Sequence, residues 1–217
     1  MKKFLTLVIL FVALSLNAQN RATPDQIKTN DGTAWVQPIT HGSVVLSWKD
    51  QYIYVDPYGG GDLYKGLMPP TMILITDIHG DHLNKGTLDA INTSNATLVV
   101  PQAVMDQLPD NLKTKAKVIG NGENMDVNGI NVGAIPMYNL PEDETSRHTK
   151  GRGNGYILSM GGKKIYFSGD TEDIPEMRNL TDIDVAFVCM NLPYTMDINQ
   201  AASAVLDFKP SIVYPYH

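Results

Sequence analysis

Between Thr76 and His82 the chain reads Thr-Asp-Ile-His-Gly-Asp-His, so two carboxylates (Asp77, Asp81) and two imidazoles (His79, His82) stand almost side by side. Lone pairs of these types at this density suit a divalent metal ion, provided that they converge on one point. The run Met72-Ile73-Leu74-Ile75 just before them reads as a buried strand. A loop leaving a rigid strand can turn several side chains inward together. The other reading is a polar loop whose Asp and His side chains cap the next helix.

The other histidines weigh against that second reading. His148 lies in a long polar loop, within His148-Thr149-Lys150-Gly151-Arg152-Gly153-Asn154-Gly155-Tyr156. His217 ends the chain after Tyr214-Pro215-Tyr216, and His41 sits in the turn His41-Gly42-Ser43. None falls in mid-strand on an apolar face, where a core histidine is expected. Asp170 follows the apolar stretch Lys163 to Phe167, in Ser168-Gly169-Asp170-Thr171. Strand ends that carry His and Asp are what a metal site at the edge of packed sheets requires. No Ser-His-Asp arrangement is evident. The single cysteine, Cys189, lies in the apolar run Val185-Ala186-Phe187-Val188-Cys189 and reads as a core thiol, which disfavours covalent catalysis and excludes an intramolecular disulfide.

The elements that must hold these residues are mostly strands. Ala34 to Ile39, Ser43 to Trp48 and Tyr52 to Val55 are strand-like, with Lys49-Asp50-Gln51 as a hairpin turn. Asn20 to Thr33 reads as a polar connector. After Met72 to Ile75 come a weakly helical Lys85 to Asn92, the strand Thr97 to Val100, and a short helix from Pro101 to Gln107. Lys117 to Ile119, Glu123 to Val127 and Ile130 to Met137 are strand-like, with Asn128-Gly129 a strong hairpin signal. The loop Asn139 to Asn154 precedes a second hairpin, Gly155 to Met160 and Lys163 to Phe167. A strand from Ile183, a helix from Ile198 to Phe208 and a strand from Ile212 to Tyr214 complete the chain. Hairpins in each half, with helices after strands, predict sheets packed together with helices outside, in one domain.

Composition agrees. Hydrophobic residues make 43% and charged residues 18% of 217, values of a globular protein with a substantial core. The net charge is −6 and no Lys/Arg run exists, so nucleic-acid binding has no electrostatic footprint. Met1-Lys2-Lys3, the apolar Phe4 to Leu16, and Ala18 form a secretory signal pattern over residues 1–18, too short for a membrane span. Cleavage removes Lys2 and Lys3, taking 17 basic residues to 15 against 23 acidic, so −6 becomes −8. No cysteine follows the apolar segment to carry a lipid. The expectation is a soluble periplasmic or secreted protein without a stable membrane anchor.

Taken in order, Asp77-x-His79-x-Asp81-His82, His148, Ser168-Gly169-Asp170-Thr171 and His217 resemble the metallo-β-lactamase-fold hydrolase superfamily. His148 to Tyr156, His41-Gly42-Ser43 and Val55-Asp56-Pro57 look most like its ascorbate-phosphate-lactonase-like branch. The likeness covers nearly everything after the signal pattern. It implies an α/β (α+β) fold for residues 19–217, a four-layer αββα sandwich with metal ions in a groove at one sheet edge. By position it implies Asp77, His79 and His148 as ligands of one ion, Asp81, His82 and His217 as ligands of another, and Asp170 as the bridge. Asp81 and Asp170 would be the catalytic residues, Asp56 would support the motif loop, and His41 would lie near the groove. Two divalent ions are expected, zinc first. Asp77 stands where the family carries histidine, and this harder, anionic ligand shifts preference toward manganese or iron; the alternative is that Asp77 does not ligate and the first ion is weakly held or absent. The chain stops at His217, where such domains continue through a loop and a final helix, so either it is truncated there, the favoured reading, or the second ion's site is loosely held.

The reaction implied is hydrolysis of a small ester, lactone, amide or phosphoester by metal-activated water. Family members that process nucleic acid carry a large inserted domain, for which this chain has no room. The competing reading is a catalytically silent metal- or ligand-binding protein that has kept the fold, and Asp77 is the residue that supports it. The sequence leaves the oligomeric state open.

Overall fold

In a computed structural model, residues 21–217 are described; the signal pattern of residues 1–18 lies outside the described residues. The first sheet begins with β1 (Asp25–Thr29), β2 (Gly32–Thr40), β3 (Ser43–Trp48) and β4 (Gln51–Val55), paired antiparallel. It continues with β5 (Met72–Leu74), β6 (Thr97–Val100) and β7 (Ala116–Val118) in parallel. The second sheet begins with the antiparallel meander β8 (Asn124–Val127), β9 (Ile130–Met137), β10 (Gly153–Met160) and β11 (Lys163–Phe167). Two parallel strands, β12 (Val185–Cys189) and β13 (Ile212–Tyr216), extend it. Helices α1 (Lys85–Ala90), α2 (Gln102–Gln107) and α3 (Asp110–Lys113) belong to the first half, α4 (Pro175–Arg178) and α5 (Ile198–Phe208) to the second.

The strand period of two sorts side chains into layers. Ile53, Val55, Leu74, Phe167 and Phe187 share one buried cluster between the sheets, where the Phe167 and Phe187 rings stack at 4.5 Å. Their strand neighbours point the other way. Tyr54 and Ile73 pack with Leu88, Val104 and Leu112 of α1 to α3, while Tyr166 and Ala186 pack with Met177, Ala201 and Phe208 of α4 and α5. Strands covered on both faces need continuous apolar runs, which is why β5 and β12 show no alternation in sequence. The result is the αββα sandwich.

Three local readings change. β1 lies inside the stretch read as a polar connector; Ile27 is its only buried residue, too little to make a pattern. β10 begins at Gly153, inside the stretch read as loop, and Gly153 pairs with Met137. A Cβ on Gly153 would meet the Thr76 carbonyl at 2.8 Å, so close backbone approach, not a turn, is what this glycine serves. Helices α3 and α4, four residues each, are too short for a helical period to show.

Candidate metal centre

One edge of the sandwich collects the ends of several strands. β4 delivers Asp56, β5 delivers Thr76 to His82, the β9–β10 connection delivers His148, β11 delivers Ser168 to Asp170, and β13 delivers His217. His41 comes from the β2–β3 turn with φ 51°, and Asp56 has φ 43°, both in the left-handed region. Gly169 has φ 61°, and a Cβ there would meet Met137 Sδ at 2.6 Å; a glycine is required for the chain to leave β11 on the path that brings Asp170 inward.

Each buried ring is oriented from behind. Asp56 accepts from Thr76 N (2.8 Å) and Thr76 Oγ1 (2.6 Å), and its Oδ2 lies 2.8 Å from His82 Nδ1. Asn139 Oδ1 accepts from His148 N (2.8 Å) and lies 3.1 Å from His148 Nδ1. Asn191 Nδ2 lies 3.1 Å from His217 Nδ1. The Asp56 and Asn139 oxygens can accept from the ring N–H, the contact that fixes a histidine so that its other nitrogen faces a metal.

The inner nitrogens do converge. His82 Nε2 and His217 Nε2 are 3.2 Å apart. Asp170 Oδ2 is 3.3 Å from His82 Nε2 and 3.2 Å from His148 Nε2, and its Oδ1 is 3.2 Å from His217 Nε2. Asp81 Oδ2 lies 3.4 Å from His217 Nε2 and 3.0 Å from His41 Nε2. Two donors each about 2.0–2.1 Å from a tetrahedral ion stand about 3.3 Å apart, so this is the spacing of atoms that share a ligand. His148 Nε2 and Asp170 Oδ1 are buried without a hydrogen-bond partner. Buried polar atoms are rarely left so, and a metal ion among them accounts for both. The donor set therefore fits a divalent ion.

Charge points the same way. Burial would push the Asp170 carboxyl up, but His82 and His148 beside it hold it well below the usual carboxylate range. The Asp81 carboxyl is lowered by its contact with His217, against a smaller opposing effect of burial. Burial would lower His82, yet Asp56 and Asp170 hold it well above an ordinary imidazole. The pocket calls for positive charge, which a divalent ion supplies in place of imidazolium protons.

All seven residues expected to ligate lie at this edge, in three groups of which the last two share His217: Asp77, His79 and His148; His82, Asp170 and His217; His41, Asp81 and His217. Asp56 stands behind His82, and His41 touches Asp81 directly. Asp77 differs from the rest. Its fully buried carboxylate accepts from Arg152 Nε at Oδ1 (3.1 Å) and from Arg152 Nη2 at Oδ2 (2.9 Å), and His79 Nδ1 lies 2.7 Å from Oδ2. Burial alone would raise this carboxyl, but His79 and Arg152 bring it down to about 2. Arg152, Asn139 and Asn191 were not anticipated. Arg152 lies in the His148 to Tyr156 stretch, but nothing local shows that it reaches back to Asp77; the two asparagines carry no sequence signal.

Fold and site together define a metal-dependent hydrolase of the metallo-β-lactamase fold. Residues 36–217 match the beta-lactamase superfamily domain, and the chain belongs to that family. A UPF0173 metal-dependent hydrolase of Pyrococcus abyssi is 28% identical over 174 residues, 76% of each chain. The crystal structure of a protein described as a metal-dependent hydrolase from Parabacteroides distasonis is 37% identical, covers 90% of this chain and 87% of its own, and superposes with a TM-score of 0.81. Igni18, a metallo hydrolase from Ignicoccus hospitalis, shares the fold at 23% identity and a TM-score of 0.70, over 84% of this chain and 81% of its own.

Proposed function

We propose that this chain is an exported hydrolase that holds up to two divalent ions, zinc first, at the edge pocket and cleaves a small ester, lactone, amide or phosphoester. One observation carries the reading: His148 Nε2 and Asp170 Oδ1 are buried and make no hydrogen bond, although each stands 3.2 Å from another inward donor, Asp170 Oδ2 and His217 Nε2 respectively. His82, His217, Asp81 and Asp170 would hold one ion, with Asp77, His79 and His148 at the other position. When bound, the metal supplies a water acidic enough to attack at neutral pH and stabilises negative charge on the substrate oxygen. The protein contributes position and dryness. Asp56, Asn139 and Asn191 lock the imidazoles, so no reorganisation is needed as charge develops. Asp81, a third exposed and held by His41, is the carboxylate placed to orient an attacking water. Asp170, nearly sealed off, stays ionised and serves as ligand.

The segment that carries Asn191 also presents Leu192 and Tyr194 at exposed positions, and Arg147 lies over the Tyr194 ring at 4.4 Å. An apolar wall with a cation beside it suits a substrate that has an apolar part and an anionic or carbonyl group. The test is a panel of esters, lactones, lactams, amides and phosphoesters with the metal-loaded protein. Turnover of one class is expected; no turnover of any would support the silent binding protein instead. Export is tested separately: the mature protein recovered outside the cytoplasm should begin at Gln19, and recovery of the uncleaved chain inside would contradict it.

A further inference from the structure

The halves of the pocket are not equivalent. Around His82 and His217 stand Asp170 and Asp81, with Asp56 behind, and none of these three carboxylates is paired with a Lys or Arg side chain among the described residues. The only carboxylate in the other half's own ligand group, Asp77, is already neutralised by a guanidinium that grips both its oxygens. Arginine does not give up its proton in a protein, so this charge is permanent. A two-pronged ion pair of this kind is among the stronger polar contacts, and here the carboxylate is fully buried. A divalent ion approaching Asp77 meets a competitor for its lone pairs and a fixed positive charge.

Donor spacing agrees. The donors around His82, Asp170 and His217 stand 3.2 to 3.3 Å apart, the separation expected of atoms on one ion. His79 Nδ1 and Asp77 Oδ2, at 2.7 Å, are closer than the roughly 3.3 Å of two donors on a tetrahedral ion.

We propose that the two halves load unequally: the His82–Asp170–His217 cluster, with Asp81, takes the first divalent ion, and Arg152, forked onto Asp77, holds the Asp77–His79–His148 half in a low-affinity state. Arg152 is then a positioning residue that sets metal stoichiometry, and the protein works as a one-ion form unless that pair is broken. The inference rests on the metal-dependent reading above.

Zinc titration of the full-length, chelator-stripped protein, followed by calorimetry and native mass spectrometry, tests it without reference to turnover. The unmodified chain should bind one equivalent tightly and a second far more weakly. Arg152→Gln, which keeps length and polarity but loses the charge, should tighten the second equivalent about 10- to 100-fold, the usual scale for contacts behind a metal ligand. Arg152→Met, which removes the charge and every donor from a side chain of similar length, should tighten it as well. A thermal melt of each variant establishes that it folds, and either folded variant alone is enough for the test. Two equally tight equivalents in the unmodified chain would overturn the proposal. So would a folded Arg152→Gln whose second equivalent is unchanged or weaker. Absence of any tight equivalent would instead overturn the metal-dependent reading itself.

Discussion

Asp56 shows how much of a metal site is made by residues that never face the metal. Its carboxylate satisfies the Thr76 N–H, the Thr76 hydroxyl and the His82 ring, all buried. Asp56→Ala should strand these groups and cost about 3–5 kcal/mol of stability, read in denaturant melts. Asp56→Asn, which keeps the shape, should fold and weaken metal binding about 10- to 100-fold in a zinc titration. A folded Asp56→Asn with unchanged affinity would mean that His82 is oriented by packing alone. At this scale the inward donors were legible in sequence because histidine and aspartate at strand ends have few other uses. The partners were not. Asn139 with His148, Asn191 with His217 and Arg152 with Asp77 are separated by 9, 26 and 75 positions, and only folding brings them together.

Among the elements, β11 and β12 must register correctly, since one leads to Asp170 and the other packs between β11 and β13. Asp184, just before β12, accepts from Lys163 Nζ (2.7 Å) and from Lys164 N (2.9 Å), clamping the starts of the two strands. Burial would raise its carboxyl, but these two contacts hold it below the usual range. A depressed carboxylate stabilises above its unfolded pKa, and that contribution is lost as pH falls through the lower folded value. Asp184→Asn should therefore cost about 1 kcal/mol at neutral pH. The gap between the two proteins should stay level down to about pH 5 and close below the ordinary aspartate pKa of about 3.9. Denaturant melts across pH check this, and a gap that widens in acid would contradict it. Strands with paired apolar faces, such as β3, β9 and β12, were readable from pattern. β1 was not, because an edge strand with one buried residue has no period to show.

The described residues form a two-sheet sandwich with the candidate metal centre at one edge. The layered fold followed from the order of hairpins and helices, and the family from the ordered motifs together. That Asp77 is the atypical ligand, and that its half could be the weaker one, was legible too; the part played by Arg152 was not, because its target lies in the other half of the chain. An ion bound only by the folded state adds to stability by mass action, so the melting temperature should rise with free metal concentration and fall on chelation.

The central claim is that hydrolysis depends on metal held by Asp170 and its histidine neighbours. The most direct test strips the full-length protein with a chelator, reloads it with zinc, manganese or iron, and follows turnover of its best substrate beside Asp170→Ala treated identically. Turnover should vanish on stripping, return on reloading, and be absent from a folded Asp170→Ala. Turnover that survives chelation, or that persists in Asp170→Ala at the full rate, would contradict it.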